Sequence, residues 1–241
     1  MCGRFAITLP PEAVRAFFNY VEQPNFPPRY NIAPTQPIPI VAAREHTAGT
    51  ERHFRLVRWG FLPAFVKDAK TFPLIINARA EGIAEKASFR AALKRRRCLV
   101  IADAFYEWRV VGPKQPKQPY LIRRIDRAPL GFAGLYETYM DATGGEIDSA
   151  CIITTSANAL MRHVHDRMPV MLPQEAFSTW LDNEVTAPEV ALAMLQPASE
   201  ELLELSPISK SVGNVANDFE AVQAPVGPAL RAAPAEIVTF R

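Results

Sequence analysis

The sequence predicts an α+β fold, a mainly antiparallel β sheet or barrel-like core with flanking helices. Three observations carry this expectation. Short apolar runs with strand character outnumber segments with helical spacing. Neighbouring runs are mostly joined by short turns, which suits antiparallel pairing. The 22 prolines among 241 residues, roughly twice the usual share of about 5%, divide the chain into many short elements with rigid connections.

The first element is a helix over residues 11–21, with Pro11 at its start and Val14, Phe17, Phe18 and Val21 at helical spacing. Residues 24–39 are proline-dense and read as loop. Strand-like runs follow at 38–43, 54–59, 74–76, 98–102 and 105–111. Residues 84–97 read as a helix whose last turn, Lys94-Arg95-Arg96-Arg97, puts cations where the helix dipole favours them. Further strands are expected at 120–125, 130–135 and 151–155, helices at 173–181 and 188–195, and a late strand at 202–205. No repeat or linker divides the chain. It reads as a single domain over residues 1–223, followed by an Ala/Pro-rich tail, 224–241, expected to be loosely held.

A chain of this length, 49% hydrophobic, can bury a sizeable core. The net charge of +2 and pI near 8.5 make no case for nucleic acid without local evidence. Cysteines at 2, 98 and 151 lack zinc or thioredoxin spacing. Their sparse, odd count suits free thiols in a reducing cytoplasm. Arg4 and Pro10-Pro11 interrupt any leading apolar run, and no stretch of about 18 apolar residues exists, so no membrane span is expected. There is no Gly-rich phosphate loop, His-Glu-x-x-His or Gly-x-Ser-x-Gly segment. No cofactor and no metal is expected.

Four positions can carry chemistry. Cys2 follows Met1 directly. Removal of the initiator would leave an α-amine titrating at about 7.7–8.0 beside a thiol at about 8.5. Such a 1,2-aminothiol condenses with an aldehyde to an imine, and the thiol then closes a five-membered thiazolidine, an intramolecular step favoured by proximity. The plainer reading is a frayed chain end, against which Gly3 permits close backbone approach. Glu107 lies among Phe105, Tyr106 and Trp108, on a wet strand face or partly buried and suited to proton transfer. His165 stands in His163-Val164-His165-Asp166-Arg167. If extended, the two histidines share a face, but no further ligand cluster accompanies them. Asn77, in Ile76-Asn77-Ala78-Arg79-Ala80-Glu81, is a turn former or a holder of a substrate oxygen. Cys98 and Cys151 read as inert core thiols. Lys94–Arg97 suits a phosphate patch or a solvated helix end equally, and Trp59 could stack on a base or fill the core.

Together these segments resemble the SOS response-associated peptidase (SRAP) family of abasic-site processing proteins. In order they are Met1-Cys2-Gly3-Arg4-Phe5, Arg29-Tyr30-Asn31-Ile32-Ala33-Pro34, Trp59-Gly60, Ile76 to Glu81, Phe105-Tyr106-Glu107-Trp108, His165-Asp166-Arg167-Met168-Pro169 and Val212-Gly213-Asn214-Val215. The resemblance implies a mainly β fold and a basic cleft for single-stranded DNA containing abasic sites. Cys2 is then the nucleophile that forms the thiazolidine with the ring-opened sugar and shields the site from strand cleavage. Asn77 positions the sugar, Glu107 transfers protons beside the Cys2 amine, and His165 is the acid-base group. The same residues are implicated in removing Met1. Arg4, Asn31, Trp59, Arg79 and Arg167 become the DNA-binding residues, and the setting is a monomer at the nucleoid of a bacterial cytoplasm. Ala104 stands where the family usually has Gly; a positive φ there would strain the turn before Glu107. Two other readings stay open, an amino-terminal-cysteine amidohydrolase of the glutaminase kind and a non-covalent single-strand-binding module.

Overall fold

The computed structural model describes residues 2–43 and 51–233. In chain order the strands are β1 (Phe5–Ile7), β2 (Arg29–Ile32), β3 (Pro37–Ala43), β4 (Arg52–Trp59), β5 (Asn77–Arg79), β6 (Arg97–Ala102), β7 (Ala104–Arg109), β8 (Gln118–Arg124), β9 (Leu130–Met140), β10 (Glu146–Ser156), β11 (Arg167–Pro169), β12 (Met171–Leu172), β13 (Leu203–Pro207) and β14 (Leu230–Arg231). The helices are α1 (Pro11–Phe18), α2 (Ala87–Arg95), α3 (Phe177–Leu181) and α4 (Pro188–Ala193). The architecture is the expected α+β one, with short helices around two sheets.

One sheet closes on itself. Strand β10 pairs with β9 on one side and β4 on the other, and β4–β3–β6–β9 completes a five-stranded ring. Only the β10–β4 contact in this ring is parallel. Every residue of β6 is buried, and so are the first eight of β9, which explains why these strands read as continuous apolar runs rather than alternating ones. The other sheet has the order β14-β13-β8-β7-β1-β2. Phe5 of β1 and Phe105 of β7 reach the ring and meet Phe132 edge-on, with Phe5 also 5.1 Å from Trp59. Aromatic rings in this arrangement lock the two sheets together.

Several boundaries move, for local reasons. Helix α1 ends at Phe18 rather than at 21, because Asn19 takes a left-handed conformation and its N–H caps Arg15 O. Inside the supposed 24–39 loop, Arg29–Ile32 forms an edge strand against β1; four residues between prolines suffice there. The run expected at 74–76 is not a strand, although Ile75 makes an isolated bridge to Phe61; the strand that pairs with β10 starts at Asn77, beside Ile152. Gly60, at φ +147, occupies a backbone region where a side chain would be strained and would strike Arg58 and Leu74. Ala104 pairs in regular register with Ala6 and Arg123 and has no positive φ, so it introduces no strain before Glu107. In the supposed loose tail, Pro225 bridges Ile208 and Leu230–Arg231 adds a strand to β13. Arg231 also pairs with buried Glu204 at 2.6 Å. Residues 234–241 lie outside the described residues.

The helix expected over 84–97 spans Ala87–Arg95, and Arg97 opens β6 fully buried. It is neither a solvated helix end nor a phosphate ligand. Its guanidinium donates to the carbonyls of Trp180 (2.7 Å), Leu93 (2.9 Å), Asp182 (2.7 Å) and Thr186 (3.3 Å). A planar fork satisfies several carbonyls at once, which an ammonium cannot. We therefore expect Arg97→Ala to lower stability by about 3 kcal/mol or more, since it leaves buried acceptors unmet. Arg97→Lys should recover only part of this. Urea unfolding of the three proteins decides the point: equal midpoints would mean that the carbonyl cluster finds other donors.

Candidate active site

The site forms where both sheets meet at the start of the chain. Strand β1 is internal, paired with β2 on one edge and β7 on the other, so the residues before it are drawn into the protein. Pairing continues outward as Tyr106 N–H donates to Arg4 O at 3.0 Å. Cys2 is consequently fully buried. Its thiol points weakly at Arg4 O, 3.9 Å away. Met1 lies outside the described residues.

Two side chains from distant segments meet Cys2, and a third, His165, acts on one of them. Asn77, first residue of β5, donates from Nδ2 to the Cys2 carbonyl at 2.9 Å. Its Oδ1 is buried without a partner among the described residues. Glu107 of β7 is 3% exposed. Burial pushes its carboxyl above the ordinary carboxylate range, and the nearby His165 pulls the other way. Burial also pushes the Cys2 thiol up, and the Glu107 charge adds to that. A buried thiol beside a carboxylate is held as S–H, so a base must take its proton before sulfur can attack.

His165 precedes β11, which pairs with the end of β10; β5 pairs with β10 as well. One strand thus sets both Asn77 and His165. The backbone N–H of Arg167 donates to His165 Nδ1 at 3.0 Å, and Asp166 Oδ1 lies 2.9 Å from the same nitrogen. An accepting Nδ1 leaves the neutral ring's proton on Nε2; Asp166 competes from an exposed position (87%), where water weakens its pull. Among the described residues no group of three His, Cys, Asp or Glu could hold a metal, and no helix is long and apolar enough to cross a membrane.

The residues expected to touch DNA divide sharply. Trp59 is fully buried, donates its indole N–H to Ile76 O at 3.0 Å and packs on Phe5; it cannot stack on a base. Asn31 is 1% exposed. Its amide reaches the carbonyls of Val212, Asn214 and Asn217, and its oxygen accepts from Arg4 at 2.7 Å. It ties β2 to the 212–217 segment instead of facing solvent. Arg4 also donates to Val212 O, and its guanidinium lies 5.9 Å from the Trp108 ring. Arg167 forks both oxygens of Glu81 at 2.7 and 2.9 Å and donates to Thr154 O at 2.7 Å. Arg79 is exposed beside Asn77.

Sequence reasoning missed Trp108, Glu81 and Asp218. Trp108 is half-buried under Arg4; alternation along β7 puts it, with Tyr106, on the face opposite Glu107. Glu81 stood inside a quoted motif without a role. Asp218 accepts from the backbone of Tyr30 (2.5 Å) and Asn31 (3.0 Å) and from Arg29; nothing local in the sequence marks it.

The model of the family described as SOS response associated peptidase (SRAP) matches residues 1–215. The chain belongs to the SRAP family. SRAP relatives include the abasic site processing protein YoqW of Bacillus subtilis, 36% identical over 90% of this chain and 96% of the relative. Another is YedK of Escherichia coli, likewise named an abasic site processing protein, 31% identical over 94% of this chain and all of the relative. A crystal structure of a Bacteroides thetaiotaomicron protein superimposes with a TM-score of 0.79 at 24% identity, covering 93% of this chain and 99% of that one, and so shares the fold.

The electrostatics of Glu107 give a test independent of activity. A carboxyl whose folded pKa is raised keeps its proton in the folded state after the unfolded chain has released it. It therefore subtracts stability as pH rises from about 4.5, its ordinary value, up to its folded pKa. Glu107→Gln cannot titrate. Its stability relative to wild type should climb across that window and then level off. Thermal or urea denaturation from pH 4 to 8 checks this, and a difference independent of pH would show that Glu107 is ionised alike in both states.

Proposed function

We propose that this chain captures abasic sites in single-stranded DNA by bonding covalently to them through Cys2. The observation that carries the reading is the hydrogen bond from Asn77 to the Cys2 carbonyl, which holds that cysteine beside Glu107, on which His165 acts in turn. The named activity of the relatives supports it, and so does the burial of Trp59, which removes the main stacking residue of a purely non-covalent binder.

The chemistry follows in balanced steps. Hydrolysis of the Met1–Cys2 peptide bond consumes one water and frees the Cys2 α-amine. The amine adds to the aldehyde carbon of the ring-opened sugar and water leaves, giving an imine. The S–H then adds across C=N: sulfur bonds to carbon, the proton passes to nitrogen, and a thiazolidine results. Glu107 takes the thiol proton and returns one to nitrogen, a role that suits a carboxyl with a raised pKa. His165 opens the sugar by proton exchange with its ring oxygen and hydroxyl. Asn77 fixes Cys2 while its free Oδ1 accepts from the sugar. Closing the ring removes the imine that would otherwise promote β-elimination, so the strand stays intact. The same residues release Met1 autocatalytically. Arg79 meets the flanking phosphate, and the chain acts as a monomer at the nucleoid.

Denaturing electrophoresis tests the nucleophile. Cys2→Ala should abolish the heat-stable adduct with an abasic single-stranded oligonucleotide, while Cys98→Ala and Cys151→Ala retain it. Crosslinking by Cys2→Ala at the wild-type rate would end the thiazolidine reading; hydrolysis of free glutamine without any adduct would favour an amidohydrolase instead.

Arg79→Ala should weaken binding to an undamaged strand and flatten the salt dependence by about 0.7 in log–log slope, one phosphate's worth for a single strand. An unchanged slope would assign the phosphate contact elsewhere.

A further inference from the structure

We infer that Glu81 is a positioning residue for His165, acting through the side chain and backbone of Arg167. The inference rests on the acid-base role proposed for His165 and adds the device that sets which ring nitrogen carries the proton.

Three observations join into one mechanism. Glu81 follows β5 and Arg167 opens β11, and both strands pair with β10. The two-pronged Glu81–Arg167 contact therefore spans the end of β10, where Ala80 N–H and the Arg167 guanidinium both bind Thr154 O, at 2.8 and 2.7 Å. A planar fork matched to both carboxylate oxygens fixes orientation as well as distance. With its side chain so held, Arg167 has little freedom in its backbone, and its N–H is the donor to His165 Nδ1. Finally, Asp166 Oδ1, on an exposed side chain, lies close to the same nitrogen and would draw a proton onto it. Nδ1 thus has two competing partners, one that requires a lone pair and one that requires a proton. The Glu81–Arg167 clamp decides for the lone pair and leaves the neutral ring with its proton on Nε2. Glu107 from β7 also acts on His165, and Arg167's own charge is directed to Glu81.

The contact also has a competing interpretation with different consequences. A carboxylate in the fork of an arginine resembles a phosphate, so Glu81 could be a stand-in that DNA displaces. Loss of a stand-in would free Arg167 for DNA and tighten binding. Loss of a positioning residue would leave binding of intact DNA unchanged and mis-set the ring.

Long-range proton–nitrogen NMR on the full chain, with nitrogen-15 histidine, reads the tautomer of His165 directly; the signals are assigned by comparison with His165→Gln. Wild type should show the Nε2–H form. Glu81→Ala should shift His165 towards the Nδ1–H form, slow crosslinking at saturating DNA by about tenfold, the lower range for loss of a partner that orients a histidine, and keep the affinity for an undamaged strand. Glu81→Asp should restore part of the Nε2–H population. Arg167→Lys, which keeps the charge but loses the fork, should reproduce the tautomer change even where Glu81→Ala folds poorly. An unaltered tautomer in both Glu81→Ala and Arg167→Lys overturns the inference, as does tighter DNA binding by Glu81→Ala with the tautomer unchanged. The NMR result stands whether or not the protein crosslinks DNA, so failure of the functional proposal is seen separately, in the Cys2 experiment.

Discussion

The beginning of the chain is an internal strand, and the site depends on that constraint. Termini of most domains fray because nothing pairs with them. Here Phe5–Ile7 lies between β2 and β7 with all three residues buried. Cys2 inherits a fixed position from strand pairing on both sides, and Phe5 anchors it further by packing on Trp59 and Phe132. Strand β7 carries Glu107 and is held to β1 by the same register. Cys2 and Glu107 are thereby set relative to each other by backbone hydrogen bonds rather than by flexible loops. For the proposed 1,2-aminothiol, the fold thus orders a part of the protein that usually frays.

Burial has an electrostatic consequence that works against stability. It holds the Cys2 thiol protonated and raises the Glu107 carboxyl. Neither change benefits the folded state; a core with an apolar residue at 107 would be the more comfortable one. Such local inconsistencies mark functional positions in otherwise consistent sequences. Asp103, four residues away, is pushed up by burial as well, although it accepts from the Thr8 backbone, the Thr8 hydroxyl at 2.9 Å and the Leu9 backbone at 2.8 Å. Those bonds tie β1's exit to the β6–β7 turn and offset the burial only in part.

Much of this was legible beforehand. The α+β class and most strands follow from apolar runs, because ring strands such as β6 and β9 are buried on both faces and read as continuous hydrophobic segments. Cys2, Asn77, Glu107 and His165 could be named because their segments form an ordered set of motifs. What stayed hidden involved partners distant in sequence. Arg97 looked like the last basic residue of a helix, yet its acceptors come mainly from Trp180, Asp182 and Thr186. Asn31 resembled a DNA ligand until its amide was seen to hold the 212–217 segment. Trp59 offered two readings, and only the closure of the ring around it chose the core. Local chemistry identifies a residue's capability; tertiary pairing decides whether that capability faces solvent.

The arginines show the same principle on the scale of the molecule. A pI near 8.5 suggests spare positive charge, but many guanidiniums are committed to carboxylates of the protein itself. Arg29 is taken by Asp218, Arg96 by Glu137, and Arg123, Arg127 and Arg231 all converge on Glu204. Arg97 is enclosed, and Arg167 is engaged by Glu81. An ordinary single-strand binder needs many phosphate contacts, because its affinity is the sum of weak, salt-sensitive terms. A protein that ends its encounter in a covalent bond needs only enough charge to align one sugar with one cysteine. On that reading the pairing of so many arginines with carboxylates is no deficiency. It matches a site whose selectivity resides in an aldehyde that undamaged DNA does not possess.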